Sequence, residues 1–230
     1  MNLKNIQLWD ERILVKINSY RSKTLTIFFR IISFFGTETL YFNLIAFYIF
    51  VYYWRFGFIA IGSTLLYGLL ICYIIKIIVK RERPYFNDKI KDMLIVRERV
   101  GKNYSFPSWH TYNIISEVLT LFFIFNNYII LIFGIIIALL TSFSRVYLGV
   151  HYPTDCIFGF ITGIIGFFIT LITFNLWYYL VLYIEYIFGF GGLSDGVINV
   201  FFKYHWYYLL VIGIFAVIII SAIYRQLLKK

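Results

Sequence analysis

Long apolar runs separated by short polar segments make up most of the chain. A membrane-spanning helix needs about 20 mostly apolar residues, and runs near that length recur from residue 39 onwards. Lipid offers no partner to an unpaired backbone group, and the alternating pattern of a barrel strand is absent, so these runs predict helices. The predicted spans are residues 39–54, 57–79, 108–125, 128–144, 154–175 and 206–224.

Two stretches do not follow this simple pattern. In residues 5–36, charges interrupt apolar positions at helical spacing, which predicts an amphipathic helix in the membrane interface and leaves a short span after it open. Residues 176–190 are short for a crossing, contain Glu185 and are rich in tyrosine. That composition suits an interfacial or re-entrant element as well as a tilted span.

The pattern as a whole predicts an all-α fold, a polytopic transmembrane bundle of about six spans with an N-terminal amphipathic helix. It divides the chain into three parts. Residues 1–36 form the interfacial segment, residues 37–175 form the membrane core, and residues 176–230 hold an interfacial element plus an extra transmembrane helix. We expect this last helix to serve in packing or oligomerisation, and the sequence leaves the oligomeric state open.

Composition supports a membrane location. Hydrophobic residues make up 61% of the chain and charged residues only 14%, with a mean hydropathy of +0.81, whereas about a quarter of an ordinary soluble protein is charged. The net charge of +10 would suggest nucleic acid in a soluble domain. Here the lysines and arginines lie between or beside apolar spans, so we expect membrane lipid headgroups or an anionic substrate as partners, and no nucleic acid.

The polar segment 80–107 carries eight lysines and arginines. By the positive-inside tendency it would face the cytoplasm, but charges that bind a phosphorylated substrate do not report on topology, so the residues alone leave the side open. Most of these residues are expected to form a solvated, lipid-facing surface. This group comprises Lys80, Arg81, Lys89, Lys91, Arg97, Arg99 and Lys102.

The two cysteines, Cys72 and Cys156, both lie in apolar runs without the spacing of metal ligands. A disulfide framework and a zinc site are therefore not supported. We predict that both are small core residues.

Three polar clusters lie at the ends of predicted spans, where polar residues are costly and suggest function. The first cluster contains Lys76, Arg83 and Pro84. Lys76 and Arg83 are seven residues apart, close to two helical turns, so both are predicted to point to one side of a helix. Pro84 is expected to end that helix.

The second cluster begins the next span with Pro107, Ser108, Trp109 and His110. Ser108 is a good N-cap residue. A helix N-terminus presents free backbone N–H groups and the positive end of the helix dipole to an anion. His110 would then lie in the first turn, beside such an anion site.

The third cluster joins two further spans and contains Arg145, His151, Pro153 and Asp155. Pro153 is favourable in the first turn of a helix. His151 and Asp155 are four residues apart, so their side chains meet if helical geometry extends back to His151. An aspartate that accepts a hydrogen bond from one imidazole nitrogen leaves the other nitrogen as the reactive one.

If successive spans cross the membrane, all three clusters fall at the same surface. Three cations, a helix N-terminus and two histidines suit a phosphoryl group, whose oxygens need charge neutralisation during transfer. Magnesium is usually held through carboxylates, and the clusters contain no carboxylate set of that kind. We therefore predict no metal and no cofactor, with the cations in the metal's place.

Glu117 lies mid-span, seven residues from His110 and on the same helical face. A carboxylate inside the membrane suggests function, but a buried hydrogen bond to Asn113 or to a neighbouring helix explains it equally well. Both interpretations stay open at this point.

The motifs Lys76-x6-Arg83-Pro84, Pro107-Ser108-Trp109-His110 and Ser144-Arg145-x5-His151-x3-Asp155 resemble the three-part signature of the type-2 phosphatidic acid phosphatase superfamily. That superfamily groups membrane lipid phosphatases with soluble vanadium haloperoxidases. The resemblance implies that His151 attacks phosphorus, that Asp155 orients it, and that His110 protonates the leaving group and then activates water. It assigns the phosphate oxygens to Lys76, Arg83, Ser108 and Arg145, assisted by backbone N–H groups around 108–110.

One residue departs from the family's pattern. Trp109 stands where the family usually has glycine between the serine and the histidine. The backbone donor is retained, but an indole must be accommodated beside the phosphate. We therefore include Trp109 among the predicted substrate-binding residues.

The expected function is that of a metal-independent membrane lipid phosphatase acting through a phosphohistidine. Polyprenyl (undecaprenyl) diphosphate and phosphatidylglycerol phosphate or phosphatidic acid rank close together as substrates, with a lipid A phosphate behind. The alternatives are a lipid phosphotransferase using the same histidine and a non-catalytic protein that binds lipid phosphates. The compact chain and short loops indicate a bacterial cell membrane, and the resemblance places the active site at its extracytoplasmic face.

Overall fold

The computed structural model describes residues 3–98, 101–189, 195–198 and 207–228. Over these residues it is mostly helical. The α-helices are α1 (Leu3–Asn18), α2 (Lys23–Phe34), α3 (Glu38–Ala46), α4 (Arg55–Val79), α5 (Trp109–Phe125), α6 (Tyr128–Tyr147), α7 (Pro153–Ile187) and α8 (Tyr207–Leu228). A π-helical turn (Phe47–Val51) extends α3, and two 3-10 turns occupy Pro84–Phe86 and Lys91–Met93. Strands β1 (Tyr52–Tyr53) and β2 (Val197–Ile198) pair antiparallel.

Three of the described helices, α4, α6 and α7, are long and apolar enough to cross a membrane. Helix α2 and the extended α3 make a fourth span if they are counted as one element bent by 43°. Many large apolar side chains on these helices are exposed, as expected where lipid replaces water. The chain is an integral membrane protein.

The prediction of about six spans is not confirmed, because the described residues provide three or four by length and composition. Helix α5 has 17 residues, fewer than the about 20 of a typical spanning helix.

Helices α4, α5 and α7 form the centre of the bundle, and α6 packs against α5. Hydroxyl groups join the three central helices at one level. Thr64 on α4 lies 3.0 Å from both Thr120 on α5 and Thr170 on α7. Because buried hydroxyls need partners, this contact aligns the three helices along their length.

Helix α1 and the described residues of segment 80–107 cover one end of the bundle. Leu14 packs with residues of α6 and α7, and the Asn18 amide donates to the Tyr147 carbonyl at 3.0 Å. Whether α1 is an amphipathic helix in the lipid interface stays a prediction. Its inner face is bound to the bundle end that carries the three motifs.

Four of the basic residues predicted to form a solvated surface in segment 80–107 are exposed, and one, Arg99, lies outside the described residues. Arg97 departs from that prediction. It is buried, and its guanidinium donates to the carbonyls of Asn18, Tyr20 and Tyr147. The guanidinium also lies over the Tyr147 ring. These acceptors belong to α6 and to the end of α1, far from Arg97 in sequence, so sequence spacing does not reveal them.

At the other end of the bundle, residues 176–187 continue α7 without a break. Glu185 is buried there by an ion pair with Arg55 at 2.8 Å, and the Tyr53 hydroxyl also donates to it. The Arg55 guanidinium balances the charge of this buried carboxylate, and the Tyr53 hydroxyl gives it a further hydrogen bond. The division of the chain at residue 176 therefore has no counterpart in the helix itself.

Both cysteines are free and buried, as predicted. Asn126 takes a left-handed conformation between α5 and α6, and Asn127 caps α6. Two asparagines therefore make up the whole connection between these helices.

Candidate active site

The end of α4, the start of α5, the end of α6 and the start of α7 meet around a cleft of about 250 Å³. Six of the eight residues predicted to form the site line the cleft. Ser108 and Asp155 are buried and are not among its described lining residues. Its described lining residues are Leu69, Cys72, Tyr73, Lys76, Arg83, Asn103, Trp109, His110, Arg145 and His151.

Lys76 and Arg83 both reach the cleft, but not from one face of a single helix, so that part of the prediction is wrong. Helix α4 ends at Val79, and Lys80 adopts a left-handed conformation with φ of 50°. The chain therefore turns before Arg83, and the turn brings the two cations together. The Lys76 ammonium donates to the carbonyl of Pro107 at 3.0 Å.

Asn103 holds the Arg83 side chain in place. The Arg83 Nε donates to the Asn103 carbonyl at 2.9 Å and Nη2 to its Oδ1 at 2.7 Å. The remaining terminal nitrogen, Nη1, lies 3.4 Å from Nε2 of His151. The guanidinium is thus oriented toward the histidine without any acidic partner among these contacts.

Arg145 approaches the cleft from the end of α6 and is only 3% exposed. Its Nη1 forms an ion pair with Glu98 at 2.6 Å and also donates to the Ser33 hydroxyl. Its Nε is buried without a hydrogen-bond partner among the described residues. A buried donor left unpaired is costly, so its place beside the cleft is typical of a group that awaits a ligand.

His151 precedes α7, which begins at Pro153, and it meets Asp155 through the capping of that helix. Asp155 Oδ2 accepts from the Tyr152 backbone N–H at 2.9 Å and lies 3.3 Å from His151 Nδ1. The predicted pair therefore forms, although the helix does not reach back to His151. This arrangement directs Nε2 of His151 toward the cleft.

The charge state of His151 follows from its surroundings. The side chain is 1% exposed, and burial lowers its pKa well below the ordinary value, with Arg83, Arg145 and Lys76 lowering it further. The imidazole is therefore neutral at physiological pH. A neutral imidazole with Nδ1–H bonded to Asp155 has a lone pair on Nε2, which is what a nucleophile requires.

Ser108 caps α5, as predicted, because its Oγ accepts from the Thr111 N–H at 3.4 Å. Its own backbone N–H donates to the Asp155 carbonyl at 2.9 Å. A Cβ at Gly159 would lie 2.6 Å from the Ser108 carbonyl oxygen, so only glycine lets α7 approach this closely. Contact between Ser108 and a phosphate stays a prediction.

Trp109 and His110 are half-buried and line the cleft from the first turn of α5. The indole N–H of Trp109 donates to Glu38 at 3.2 Å, and its ring stacks on Tyr112 with centroids 5.7 Å apart. These contacts hold the indole at the wall of the cleft. They link it to the start of α3, where Glu38 lies.

Arg81 contradicts its predicted place on a solvated surface. Its guanidinium bridges Asp155 at 2.7 Å and Asp10 of α1 at 2.6 Å. Like Asp10 and Glu98, it was missed by sequence reasoning because the paired residues are tens of residues apart and no spacing relates them. The proximity of Arg81 to the first motif was the one available signal.

Glu117 does not line the cleft. Its Oε2 and the Oδ1 of Asn113 are both buried without a partner among the described residues, while the Asn113 amide donates to the Gly36 carbonyl. The hydrogen bond between Glu117 and Asn113, one of the interpretations that the sequence left open, is therefore not observed among the described residues.

The cleft is electropositive. Its described lining residues include Lys76, Arg83 and Arg145 and contain no aspartate or glutamate. Within the described ranges, no three His, Cys, Asp or Glu side chains come together as metal ligands. The arrangement is suited to a small multiply charged anion held by fixed cations.

Three curated proteins are similar to part of this chain. Lipid A 4'-phosphatase of Bacteroides thetaiotaomicron is 33% identical over 111 residues, 47% of this chain and 49% of that protein. Undecaprenyl-diphosphatase of Sulfolobus acidocaldarius is 33% identical over 107 residues, 45% of this chain and 50% of that protein. Undecaprenyl-diphosphatase BcrC of Bacillus subtilis is 31% identical over 108 residues, 45% of this chain and 51% of that protein. The chain thus spans about half the length of the curated relatives it matches.

Two crystal structures share the fold. The PAP2-type phosphatidylglycerolphosphate phosphatase of Bacillus subtilis superposes with a TM-score of 0.59 at 24% identity, over 73% of this chain and 85% of that one. LpxE of Aquifex aeolicus superposes with a TM-score of 0.56 at 23% identity, over 71% of this chain and 94% of that one. The PAP2 superfamily itself matches residues 52–181, which include all three motifs. The chain belongs to the PAP2 superfamily.

Proposed function

We propose that this protein hydrolyses a lipid phosphate or diphosphate, without a metal, through a phosphohistidine intermediate. The observation that carries the proposal is the cleft itself: Lys76, Arg83 and Arg145 converge beside two histidines, and the described lining contains no carboxylate. A phosphoryl group fits such a site, because its oxygens bind the cations and its phosphorus accepts a histidine nucleophile.

In the first step, Nε2 of His151 attacks the phosphorus atom while the bond from phosphorus to the leaving oxygen breaks. Asp155 accepts the hydrogen bond from Nδ1–H and stabilises the positive charge that develops on the ring. His110, protonated at the start, donates its proton to the leaving oxygen. The products of this step are a phosphohistidine and the leaving group, which is the lipid alcohol from a lipid phosphate and the lipid monophosphate from a lipid diphosphate.

In the second step, the now neutral His110 removes a proton from a water molecule. The water oxygen attacks the phosphorus and the bond from phosphorus to Nε2 breaks, which releases inorganic phosphate and restores both histidines. Lys76, Arg83 and Arg145 hold the equatorial oxygens throughout, with Ser108 and the backbone N–H groups at the start of α5. Three fixed cations supply the charge neutralisation that a metal ion supplies in other phosphoryl-transfer enzymes.

Two features support a lipid substrate. Leu69 and Tyr73 line the cleft and are 50% and 65% exposed on the outer face of α4, so an apolar tail can lie along that helix in the bilayer. The names of the curated relatives include phosphatases of lipid A and of undecaprenyl diphosphate. We propose polyprenyl diphosphate and phosphatidylglycerol phosphate or phosphatidic acid as substrates, with a lipid A phosphate ranked next.

We also propose that the site faces the extracytoplasmic side of a bacterial membrane. Arg81, Arg83 and Arg97 are engaged inside the fold, so they do not count as free positive charges in the positive-inside tendency. A single cysteine at the exposed Lys89, with Cys72 and Cys156 replaced by alanine, would test this in intact cells. Labelling by an impermeant maleimide is expected, and labelling only after lysis would reverse the assignment.

The central experiment measures phosphate release by the detergent-purified protein in excess EDTA. The substrates are polyprenyl diphosphate, phosphatidylglycerol phosphate, phosphatidic acid and a lipid A phosphate. His151→Ala is measured in parallel, and Lys89→Ala serves as a control that changes an exposed side chain. We expect release that survives EDTA, disappears in His151→Ala and is unchanged in Lys89→Ala.

Other outcomes would redirect the proposal. Loss of activity in EDTA that returns with magnesium would contradict the metal-free step. A labelled phosphate that moves to a lipid or sugar hydroxyl, without release of inorganic phosphate, would indicate a transferase. Binding of every lipid without release or transfer, in protein with a normal melting curve, would indicate a non-catalytic binding protein.

A further inference from the structure

Arg81 connects the N-terminal helix to the carboxylate behind the nucleophile. It lies between the first two cations of the site in sequence, but its side chain turns away from the cleft and is 16% exposed. Nη1 donates to Asp155 Oδ1 and to the Thr154 hydroxyl, both at 2.7 Å. Nη2 donates to Asp10 Oδ2 at 2.6 Å and to Gln7 Oε1 at 2.7 Å. One guanidinium therefore binds α1 and the start of α7 simultaneously.

The two oxygens of Asp155 have separate partners. Oδ2 receives the His151 ring and the Tyr152 backbone N–H, while Oδ1 receives Arg81. A carboxylate is planar, so a partner that holds Oδ1 also sets the direction of Oδ2. Charge-assisted bonds between a guanidinium and a carboxylate have strongly preferred geometry, and Arg81 is therefore placed to orient the acceptor of the His151 hydrogen bond.

Asp10 holds Arg81 from the opposite side. It is fully buried, and its Oδ1 accepts from the Thr154 backbone N–H at 2.9 Å, while its Oδ2 also receives the Thr154 hydroxyl. Asp10 is thus an acceptor for the first turn of α7 that comes from α1, across 144 residues of chain. The Tyr152 ring lies 4.0 Å from the Arg81 guanidinium and closes a further side.

We infer that Arg81 and Asp10 are positioning residues, and that α1 is therefore part of the catalytic unit. Through them, α1 holds the Asp155 carboxylate in the orientation that keeps Nδ1–H of His151 bonded and Nε2 directed at phosphorus. The expected effect of Arg81 and Asp10 on turnover rests on the proposed function. Their effect on the histidine ring is separate from turnover and can be measured alone.

The test compares Asp10→Asn with Glu11→Gln on the same helix. Glu11 is also buried, and it accepts from Gln7 and Asn87 at 2.9 Å. It reaches Arg81 only indirectly, through Gln7, whereas Asp10 bonds Arg81 directly. A merely structural role of Asp10 predicts that both variants behave alike. A positioning role predicts that only Asp10→Asn alters the catalytic step.

Turnover is the first readout. Asp10→Asn is expected to lower kcat for phosphate release about 10–100-fold, by analogy with the loss of groups that orient metal-bound histidines, with KM within about threefold because Lys76, Arg83 and Arg145 are untouched. Arg81→Gln should lower kcat further, and Arg81→Lys should recover part of the loss because it keeps one charge near Asp155. Glu11→Gln should retain the wild-type kcat.

The second readout is the nitrogen NMR spectrum of protein labelled at its three histidines, assigned with His151→Ala. Wild type is expected to show one tautomer of His151 with the proton on Nδ1, and Asp10→Asn to show a mixture with the Nε2–H form. An unchanged spectrum, or an unchanged kcat in active protein, would overturn the inference. If wild type releases no phosphate, the proposed function fails and the spectrum alone decides the positioning role.

Discussion

The ion pair between Glu98 and Arg145 allows a sharp test of how the cleft is built. The two charged groups are 2.6 Å apart and their side chains are 5% and 4% exposed. Glu98→Gln removes the negative charge and keeps an oxygen that can accept a hydrogen bond. Arg145 then loses its described counterion and remains a buried cation, with the amide oxygen and the Ser33 hydroxyl as its hydrogen-bond partners.

The expected cost follows from that geometry. Removing one partner of a buried ion pair costs about 3–5 kcal/mol. The amide oxygen retains a hydrogen bond to a charged donor, so we expect about 1–3 kcal/mol for Glu98→Gln. A chain of this size loses about 2–4 °C of melting temperature per kcal/mol, which gives a fall of roughly 2–12 °C.

The assay is thermal unfolding in detergent, followed by the fluorescence of the five tryptophans. The matched control is Asp88→Asn in the same segment, where the carboxylate pairs with Lys91 in the open; no measurable shift is expected there. Arg145→Gln and the double variant complete the cycle, and the double variant should be more stable than the sum of the single losses predicts. If Glu98→Gln melts within 1 °C of wild type, the buried pair does not stabilise the cleft and the reasoning is refuted.

Three further predictions concern other parts of the fold. The pKa of His151 is lowered in the folded protein, so below about pH 6.5 the unfolded state binds one proton more than the folded state. Melting temperatures measured against pH should therefore fall as the pH falls, and His151→Ala should remove this dependence. Gly36→Ala places a Cβ 2.6 Å from a carbonyl oxygen of α5, so a loss of about 1–3 kcal/mol and reduced turnover are expected. Gly62→Ala, whose Cβ would meet the Ile45 side chain at an ordinary contact distance of 4.0 Å, should not lower the melting temperature. Glu185→Gln removes the closest counterion of the buried Arg55 side chain, so a lower melting temperature is expected. The kcat should not change, because this pair lies at the end of the bundle away from the cleft, and a reduced kcat would contradict the separation of the two ends.

Much of the site was predictable because each motif is local and lies at a helix end. Ser108 is followed directly by the helix that it caps, and His151 and Asp155 meet within a single helix start. The apolar runs also locate α4, α6 and α7, because a helix that crosses lipid needs about 20 predominantly apolar residues in a row. Local signals of this kind depend only on neighbouring residues, so a sequence displays them directly.

Long-range partners were decided only by the tertiary structure. The sequence predicts Arg81 and Arg97 to be surface charges. In the fold, Arg81 bonds Asp10 of α1 and Arg97 bonds the Tyr147 carbonyl of α6. Glu98 reaches Arg145 across 47 residues. Composition determined that the protein lies in a membrane and the motifs determined its family, because both are properties of short segments. The partners that neutralise and orient the buried charges depend on how distant segments pack, and that is a property of the whole fold.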